Sequence, residues 1–343
     1  MEKIIFWNNK GGTGKTTLAF QILTEYARQN SSKKILVIDV CPQANLSELL
    51  LGGLNQGGSA RLLMRQGANP RATIGGYFQM RLPSPYSTPD FNPKDYLTNP
   101  HEYNEYIDKN IDLLCGDAML ELQSNAISTL ANNQIPGTNT WIAIINWLND
   151  FINPIEKDYD VVFLDANPSF SMYTQIAIAT STKIILPVMA DDSSRRAIQN
   201  AFSLIYSLKL PSEIYSKYAF AEKLKEVGMP MPKVYMVLKN RLTQYMGASS
   251  AYKTVLNEID KDINMLLQSY PYIFEFKTID DGIIDIRDFQ TTGVVSAARG
   301  CPFQKIKAGR LDVMGKRVVV KEEYRQNYIK NIELIMKKMN EDL

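Results

Sequence analysis

Histidine is all but missing from this chain of 343 residues: His101 is the only one, in a stretch rich in Pro, Asn and Tyr. Histidine-based metal centres and acid–base dyads are therefore not expected, and His101 reads as a surface residue. Cysteine is nearly as scarce. Cys41, Cys115 and Cys301 lie far apart without a C-x-x-C pair, which argues against a disulfide framework and a thiolate zinc site and fits a reducing cytoplasm. No apolar run approaches the roughly 20 residues that span a bilayer, and no apolar leader precedes the first strand, so neither a membrane helix nor export is expected. An excess of either charge is lacking too. With 38 basic and 36 acidic residues the formal net charge is +2, so affinity for nucleic acid must come from a local patch.

What is present is apolar residues, 45% of the chain, enough for a large core. The most informative stretch is Lys10-Gly11-Gly12-Thr13-Gly14-Lys15-Thr16-Thr17, which follows the apolar run Ile4-Ile5-Phe6-Trp7 and leads into helically spaced apolar residues from Leu18 to Ala27. Strand, glycine loop and helix in this order make a phosphate-binding loop. The glycines let the backbone curl and aim N–H groups at phosphate oxygens, and the helix start adds its positive dipole end. Lys15 is expected at the β- and γ-phosphates and the Thr16 hydroxyl on Mg²⁺. The pattern G-x-x-x-x-G-K-T is met only with Asn9 in the place of its first glycine, while a second lysine, Lys10, is gained.

This deviant Walker A loop resembles that of the ParA/MinD family of ATPases, K-G-G-x-G-K-T-T. The resemblance implies that Lys10 reaches across a two-fold dimer to the nucleotide of the partner, with Gly11 to Thr17 holding the nucleotide of their own chain. After the strand Ile35–Ile38 comes Asp39-Val40-Cys41-Pro42-Gln43-Ala44-Asn45, similar to the family's D-x-D-P-Q-x-N except that Cys41 replaces the second aspartate. The family gives that missing carboxylate the attacking water, and a thiol is a poor substitute unless ionised. Asp39 remains as a catalytic and metal-site carboxylate. The run Val161-Val162-Phe163-Leu164-Asp165 has the form of a Walker B strand, with Asp165 at the water shell of Mg²⁺ and a switch-like turn at Ala166–Ser169. Asn240, at the end of the strand Lys233–Arg241, matches the asparagine that reads adenine in the family, and Pro302 matches a proline beside the base. An iron–sulfur reductase on the same fold needs paired cluster cysteines, which the three cysteines do not provide.

Elsewhere, Gly52–Asn110 is rich in Gly, Pro, Asn, Ser and Tyr, which argues for a loop-rich excursion with one short helix near Ser59–Arg65. A surface loop and a partner contact both stay open there. Further elements are expected at Ile111–Leu114 (strand), Ala118–Leu130 (helix), Thr140–Ile155 (one helix) and Lys183–Val188 (strand). A helix near Arg195 is expected to be capped by Ser193 or Ser194, and Lys233–Arg241 is read as the last core strand. The segment 299–343 is basic, with a terminal helix whose buried face is Tyr328, Ile332, Ile335 and Met339.

The expected architecture is α/β: one domain over residues 1–343, a doubly wound, mostly parallel sheet flanked by helices. The resemblance implies an ATPase that uses ATP and Mg²⁺ to close a homodimer, binds DNA nonspecifically and positions a plasmid, chromosome or other cargo through a ParB-like adaptor. The site would be cytoplasmic, at the nucleoid and without a membrane. The alternative is an ATP-gated dimeric interaction switch that barely hydrolyses, because Cys41 stands where the acid should be.

Overall fold

The structure, a computed structural model, describes residues 1–189, 191–216, 218–242 and 250–343, with the side chains of 192, 241 and 250–253 set aside. The apolar runs of the sequence become neighbouring strands: β1 (Glu2–Phe6), β2 (Ile35–Val40), the short β3 (Leu97–Thr98), β4 (Ile111–Leu114), β5 (Val161–Ala166), β6 (Lys183–Met189), β7 (Lys233–Leu242) and β8 (Ile283–Arg287). They form one sheet in the order β3-β4-β2-β5-β1-β6-β7-β8. Every pairing is parallel except the edge pair β3 with β4.

Alternate residues of each strand enter opposite cores. Ile5, Leu36, Ile38, Val162 and Leu164 face one core, while Ile4, Phe6, Ile35, Val37 and Phe163 face the other. Burial on both faces is why these strands read as continuous apolar runs.

The sheet is covered by helices. α1 (Lys15–Gln29) and α2 (Asn45–Leu50) follow β1 and β2, and α3 (Gly58–Gln66) and α4 (Ile74–Arg81) precede β3. Between β4 and β5 lie α5 (Met119–Ala131), α6 (Thr140–Ile145) and α7 (Trp147–Ile152); α8 (Met172–Thr180) follows β5 and α9 (Asp192–Tyr206) follows β6. Next come α10 (Glu213–Ser216), α11 (Phe220–Glu226), α12 (Ser250–Ser269) and α13 (Ile279–Gly282). After β8, α14 (Gln290–Arg299) and α15 (Glu322–Asp342) flank a separate hairpin, β9 (Gly309–Val313) with β10 (Lys316–Val320). The terminal helix packs on α1, burying Tyr328, Ile332, Ile335 and Met339.

Several expectations change. The excursion is part of the core, because α4 buries Ile74, Tyr77 and Phe78. Its glycines hid it, yet both are needed: a Cβ on Gly75 would come within 2.7 Å of the Asp117 side chain, and one on Gly76 within 1.9 Å of the Arg71 carbonyl. Arg81, almost fully buried, bonds Asp150 at 2.7 Å and Tyr77 at 2.9 Å, which joins α4 to α7. The single helix expected over Thr140–Ile155 breaks at Asn146, whose amide bonds back to the Ile142 carbonyl, and after Ile152 the chain tightens into a 3₁₀ turn started by Pro154. Lys233–Leu242 is not the last core strand, since β8 pairs beside it. The basic segment, expected as helical, contains the hairpin, where Gly315 at positive φ makes a tight turn ahead of Val318-Val319-Val320.

Candidate functional site

The loop after β1 is clamped from both sides. The buried Trp7 indole donates to the Asn167 carbonyl at 3.0 Å, and Asn8 Nδ2 donates to the Pro187 carbonyl at 2.7 Å, so β5 and β6 hold the base of the turn. Gly12 has φ 74° and Gly14 φ 85°, in the left-handed region that glycine enters freely. A Cβ on Gly11 or Gly12 would meet nothing within 4 Å, so the loop fronts open space. At Gly14 a Cβ would lie 2.2 Å from the Asn240 amide. α1 then starts at Lys15 with no side-chain cap, leaving its first N–H groups for an external acceptor.

Behind the loop two acids stand side by side. Sheet register puts Asp165 next to Phe6 on one side and Asp39 on the other. Thr16 donates to Asp165 Oδ2 at 2.7 Å, while Asp165 Oδ1 is buried without a partner among the described residues. Burial, with repulsion from Asp39, pushes the Asp165 carboxyl up to about 7. Asp39 is raised to about 6, chiefly by burial. Its Oδ2 accepts from Ser47 N at 2.9 Å and Ser47 Oγ at 2.7 Å, and its Oδ1 from Cys41 N at 3.2 Å, so this carboxylate is turned mainly toward α2. Lys15, almost fully buried, donates to the Lys10 carbonyl at 2.9 Å, and burial lowers its pKa against the pull of Asp165. Cys41 is half-buried, with its thiol pushed up to about 12 by burial and then by Asp39 and Asp165.

These donors fit a hard divalent cation. An unpartnered carboxylate oxygen, a neighbouring hydroxyl and two mutually repelling acids offer oxygen ligands and a charge to neutralise. The described residues hold no cluster of three or more His, Cys, Asp or Glu placed to cage a metal. Mg²⁺ matches that sparseness, since it is commonly held by one or two carboxylates, water and phosphate.

The acids also set a pH dependence. Both folded-state values lie above the ordinary carboxylate value, so the fold favours the protonated forms; their contribution to stability is complete below about pH 4 and is lost as pH rises through 6 to 7. In metal- and nucleotide-free protein, Asp165→Asn is expected to gain about 3 °C or more over wild type in melting temperature between pH 5 and pH 8. Saturating Mg-ATP should flatten the wild-type pH dependence. Parallel melting curves for the two apo proteins would sink this account.

Lys10 lies at the rim. Its Nζ is 2.6 Å from both Asp191 oxygens, 2.6 Å from Ser193 Oγ and 3.1 Å from Ser194 Oγ. Burial alone would raise Asp191, but bonds from Lys10, Ser194 and Ser193 hold its carboxyl at about 2. Asp191 also caps α9 by accepting from Ser194 N at 2.6 Å, so the cap is this acid and neither of the serines expected. Asn240 is buried and donates to the Thr13 carbonyl at 2.9 Å, propping the loop from below. Pro302 stands apart: the Phe303 N–H bonds Gln21 Oε1 at 2.9 Å, about 9 Å along α1 from Lys15. Thus Lys10, Gly11 to Thr17, Asp39, Asp165 and Asn240 converge, and Pro302 flanks them. Sequence reasoning missed Asp191 and Ser47; an acid three residues ahead of Ser194 was a capping signal for the first, and only the fold reveals the second.

A phosphate loop at the carboxyl end of the central strand, with an acid-ended strand beside it, defines the P-loop NTPase fold. A family model described as an AAA domain matches residues 1–214, well over half of the chain. The chain belongs to that family, and its P-loop is of the ParA/MinD type. It is 26% identical over 204 residues to the virulence plasmid ParA family protein pGP5-D of Chlamydia psittaci, a match covering 58% of this chain and 61% of that one. It is also 26% identical over 191 residues to the chromosome-partitioning ATPase Soj of Thermus thermophilus, 56% of each chain. The fold is similar to that of apo McdA from Cyanothece, at 15% identity, TM-score 0.60 and 99% of both chains. It is likewise similar to a plasmid partition protein from Borrelia burgdorferi, at 18% identity, TM-score 0.52, 98% of this chain and 99% of that one.

Proposed function

We propose that the chain is one ATPase domain that binds ATP and Mg²⁺, closes a sandwich homodimer around them, and couples this cycle to nonspecific DNA binding and to positioning of a plasmid, chromosome or other cargo through a ParB-like adaptor. The observation that carries the reading is the division of labour between two lysines. Lys15 is buried inside its own loop, whereas Lys10 is held by Asp191 and two serines at the start of α9. A lysine its own loop does not use can exchange this pairing for the nucleotide of a second copy. No helix among the described residues is long and apolar enough to cross a membrane, in keeping with a proposed cytoplasmic, nucleoid-associated setting.

In this reading the loop N–H groups and Lys15 hold phosphate oxygens, and Thr16 and Asp165 hold Mg²⁺, with Asp39 ordering the turn behind them. Asn240 and Pro302 border the base. Bound Mg²⁺ neutralises phosphate charge, and catalysis is otherwise positioning, with Lys15 and the partner copy's Lys10 stabilising charge on the transferred group. The test is mass in solution: ATP or a non-hydrolysable analogue should convert the 38.9 kDa monomer to a dimer, whereas a chain that stays monomeric with nucleotide bound would exclude the sandwich. A second reading, an ATP-gated switch with little turnover, is favoured by one observation: beside Asp39, position 41 carries a half-buried thiol, which burial disfavours from ionising, instead of a carboxylate.

A further inference from the structure

Charge is segregated in this protein. Between Arg299 and Lys321 there are seven basic residues and one acid, a surplus of six on a chain whose net charge is +2, so the rest of the molecule is net acidic. The segment carries the β9–β10 hairpin, and its one acid is occupied, since Asp312 Oδ1 accepts from Gly315 N across the turn. Lys305 is paired with Asp108 at 3.2 Å. Lys307, Arg310, Lys316, Arg317 and Lys321 are all exposed, and none forms an ion pair among the described residues.

The pleat sorts the hairpin into two faces. Leu311, Val313, Val318 and Val320 pack inward on the core. The register places Arg310 opposite Val319 and Arg317 opposite Asp312 on the outer face. The hairpin is fastened: Arg299 donates to the Asp312 carbonyl at 2.8 Å, and Thr291 Oγ1 to the Val319 carbonyl at 3.2 Å, both from α14. α14 in turn backs onto the end of α2 and the turn that follows it. Asn55 N bonds the Ala298 carbonyl at 2.7 Å, and Asn104 bridges the carbonyls of Leu50 and Gly300. A Cβ on Gly300 would lie 2.3 Å from the Leu49 carbonyl, so the two backbones touch.

We propose that the outer face of the β9–β10 hairpin, with Lys307 and Lys321 at its base, is the surface that grips the phosphate backbone of duplex DNA. This rests on the DNA-binding reading above and gives it a location. Duplex DNA is the occupant by charge complementarity: cations on a firm ribbon about 17 Å long match a dense row of phosphates and need no base contact. An anionic membrane fits less well. Its anchors combine cations with a broad apolar face, and here the apolar residues point inward, leaving outside only Val319 and, at the tip, Met314.

The test is binding of a fluorescent duplex of arbitrary sequence by full-length, ATP-loaded protein, followed by anisotropy across a salt series. Lys307→Ala/Arg310→Ala/Arg317→Ala is expected to weaken binding at least about tenfold at 100 mM salt and to reduce the slope of log K against log salt by roughly 2 to 3, with binding of a fluorescent ATP analogue unchanged. Arg317→Glu, a single exposed change on the outer face, should weaken duplex binding several-fold on its own, and Arg310→Lys/Arg317→Lys should bind like wild type. Wild-type duplex affinity in both the triple variant and Arg317→Glu overturns the surface and leaves the DNA-binding reading standing. Wild-type protein that binds ATP but no duplex overturns both. Hairpin-dependent binding to phosphatidylglycerol vesicles without duplex binding overturns the proposal in favour of a membrane.

Discussion

Replacing Lys15 by alanine is expected to weaken Mg-ATP binding by about a hundredfold or more, while Lys10→Ala changes it no more than about threefold. The two lysines are five residues apart, and the fold gives them opposite surroundings. The Lys15 ammonium is buried and directed at the loop's own backbone, where it donates to the Lys10 carbonyl at 2.9 Å. Phosphate oxygens arriving there would gain two or three charge-assisted bonds of about 1.5–3 kcal/mol each, and every 1.4 kcal/mol is about a factor of ten. Lys10 instead faces Asp191 and two serine hydroxyls at the rim. Its removal leaves the loop's phosphate contacts in place but takes away the group offered to a partner. Titration of a fluorescent ATP analogue, with mass measured in the same samples, separates the roles: Lys10→Ala should bind nucleotide and stay monomeric. An ATP dimer in that variant would remove the cross-dimer role of Lys10, and near-normal binding by Lys15→Ala would remove Lys15 from the phosphates.

Much of this site is legible in the sequence because its parts are local. Gly12 and Gly14 adopt φ values that glycine tolerates best, so a glycine run between strand and helix already names the turn. Asp165 is equally visible as an acid closing four apolar residues. What cannot be read is what the sheet order brings together. Asp39 and Asp165 are 126 positions apart, and only the insertion of β5 between β2 and β1 makes them neighbours with raised pKa values. Ser47 is likewise ordinary until the turn after β2 folds its hydroxyl onto Asp39.

The elements missed in the fold fail for physical reasons as well. α4 carries Gly75-Gly76, which lowers its helix propensity, and the gain from close contact with Asp117 and Arg71 is invisible without the tertiary structure. β8 is a short edge strand whose alternation, Ile284 and Ile286 against Asp285 and Arg287, is diluted by neighbouring charges. The hairpin fell within a segment read as basic and helical, although Met314-Gly315 ahead of three valines carries a turn-and-strand signal.

Cys41→Asp is expected to raise single-turnover ATP hydrolysis by at least about tenfold, within the 10²- to 10⁴-fold range that a positioned acid–base group supplies. The position is well placed for it. Cys41 N bonds Asp39 Oδ1 at 3.2 Å, and the side chain is close enough to Lys15 and Asp165 that a charge placed there would act on both. With its pKa near 12 the natural thiol stays protonated at neutral pH; it is a weak donor and a poor acceptor, unable to take a proton from water. A carboxylate there joins two acids that already repel one another, so in the apo protein it should lower stability. Bound Mg²⁺ and the Lys15 ammonium would offset that repulsion, which makes the nucleotide-loaded state the one to measure. Cys41→Ser supplies the control: a neutral hydroxyl should behave like the thiol. If wild type, Cys41→Ser and Cys41→Asp all hydrolyse at one rate, the group that handles the water lies elsewhere and the cycling partition ATPase is favoured; if only Cys41→Asp turns over while all three dimerise with ATP, the natural protein is an ATP-locked switch that needs another component to reopen it.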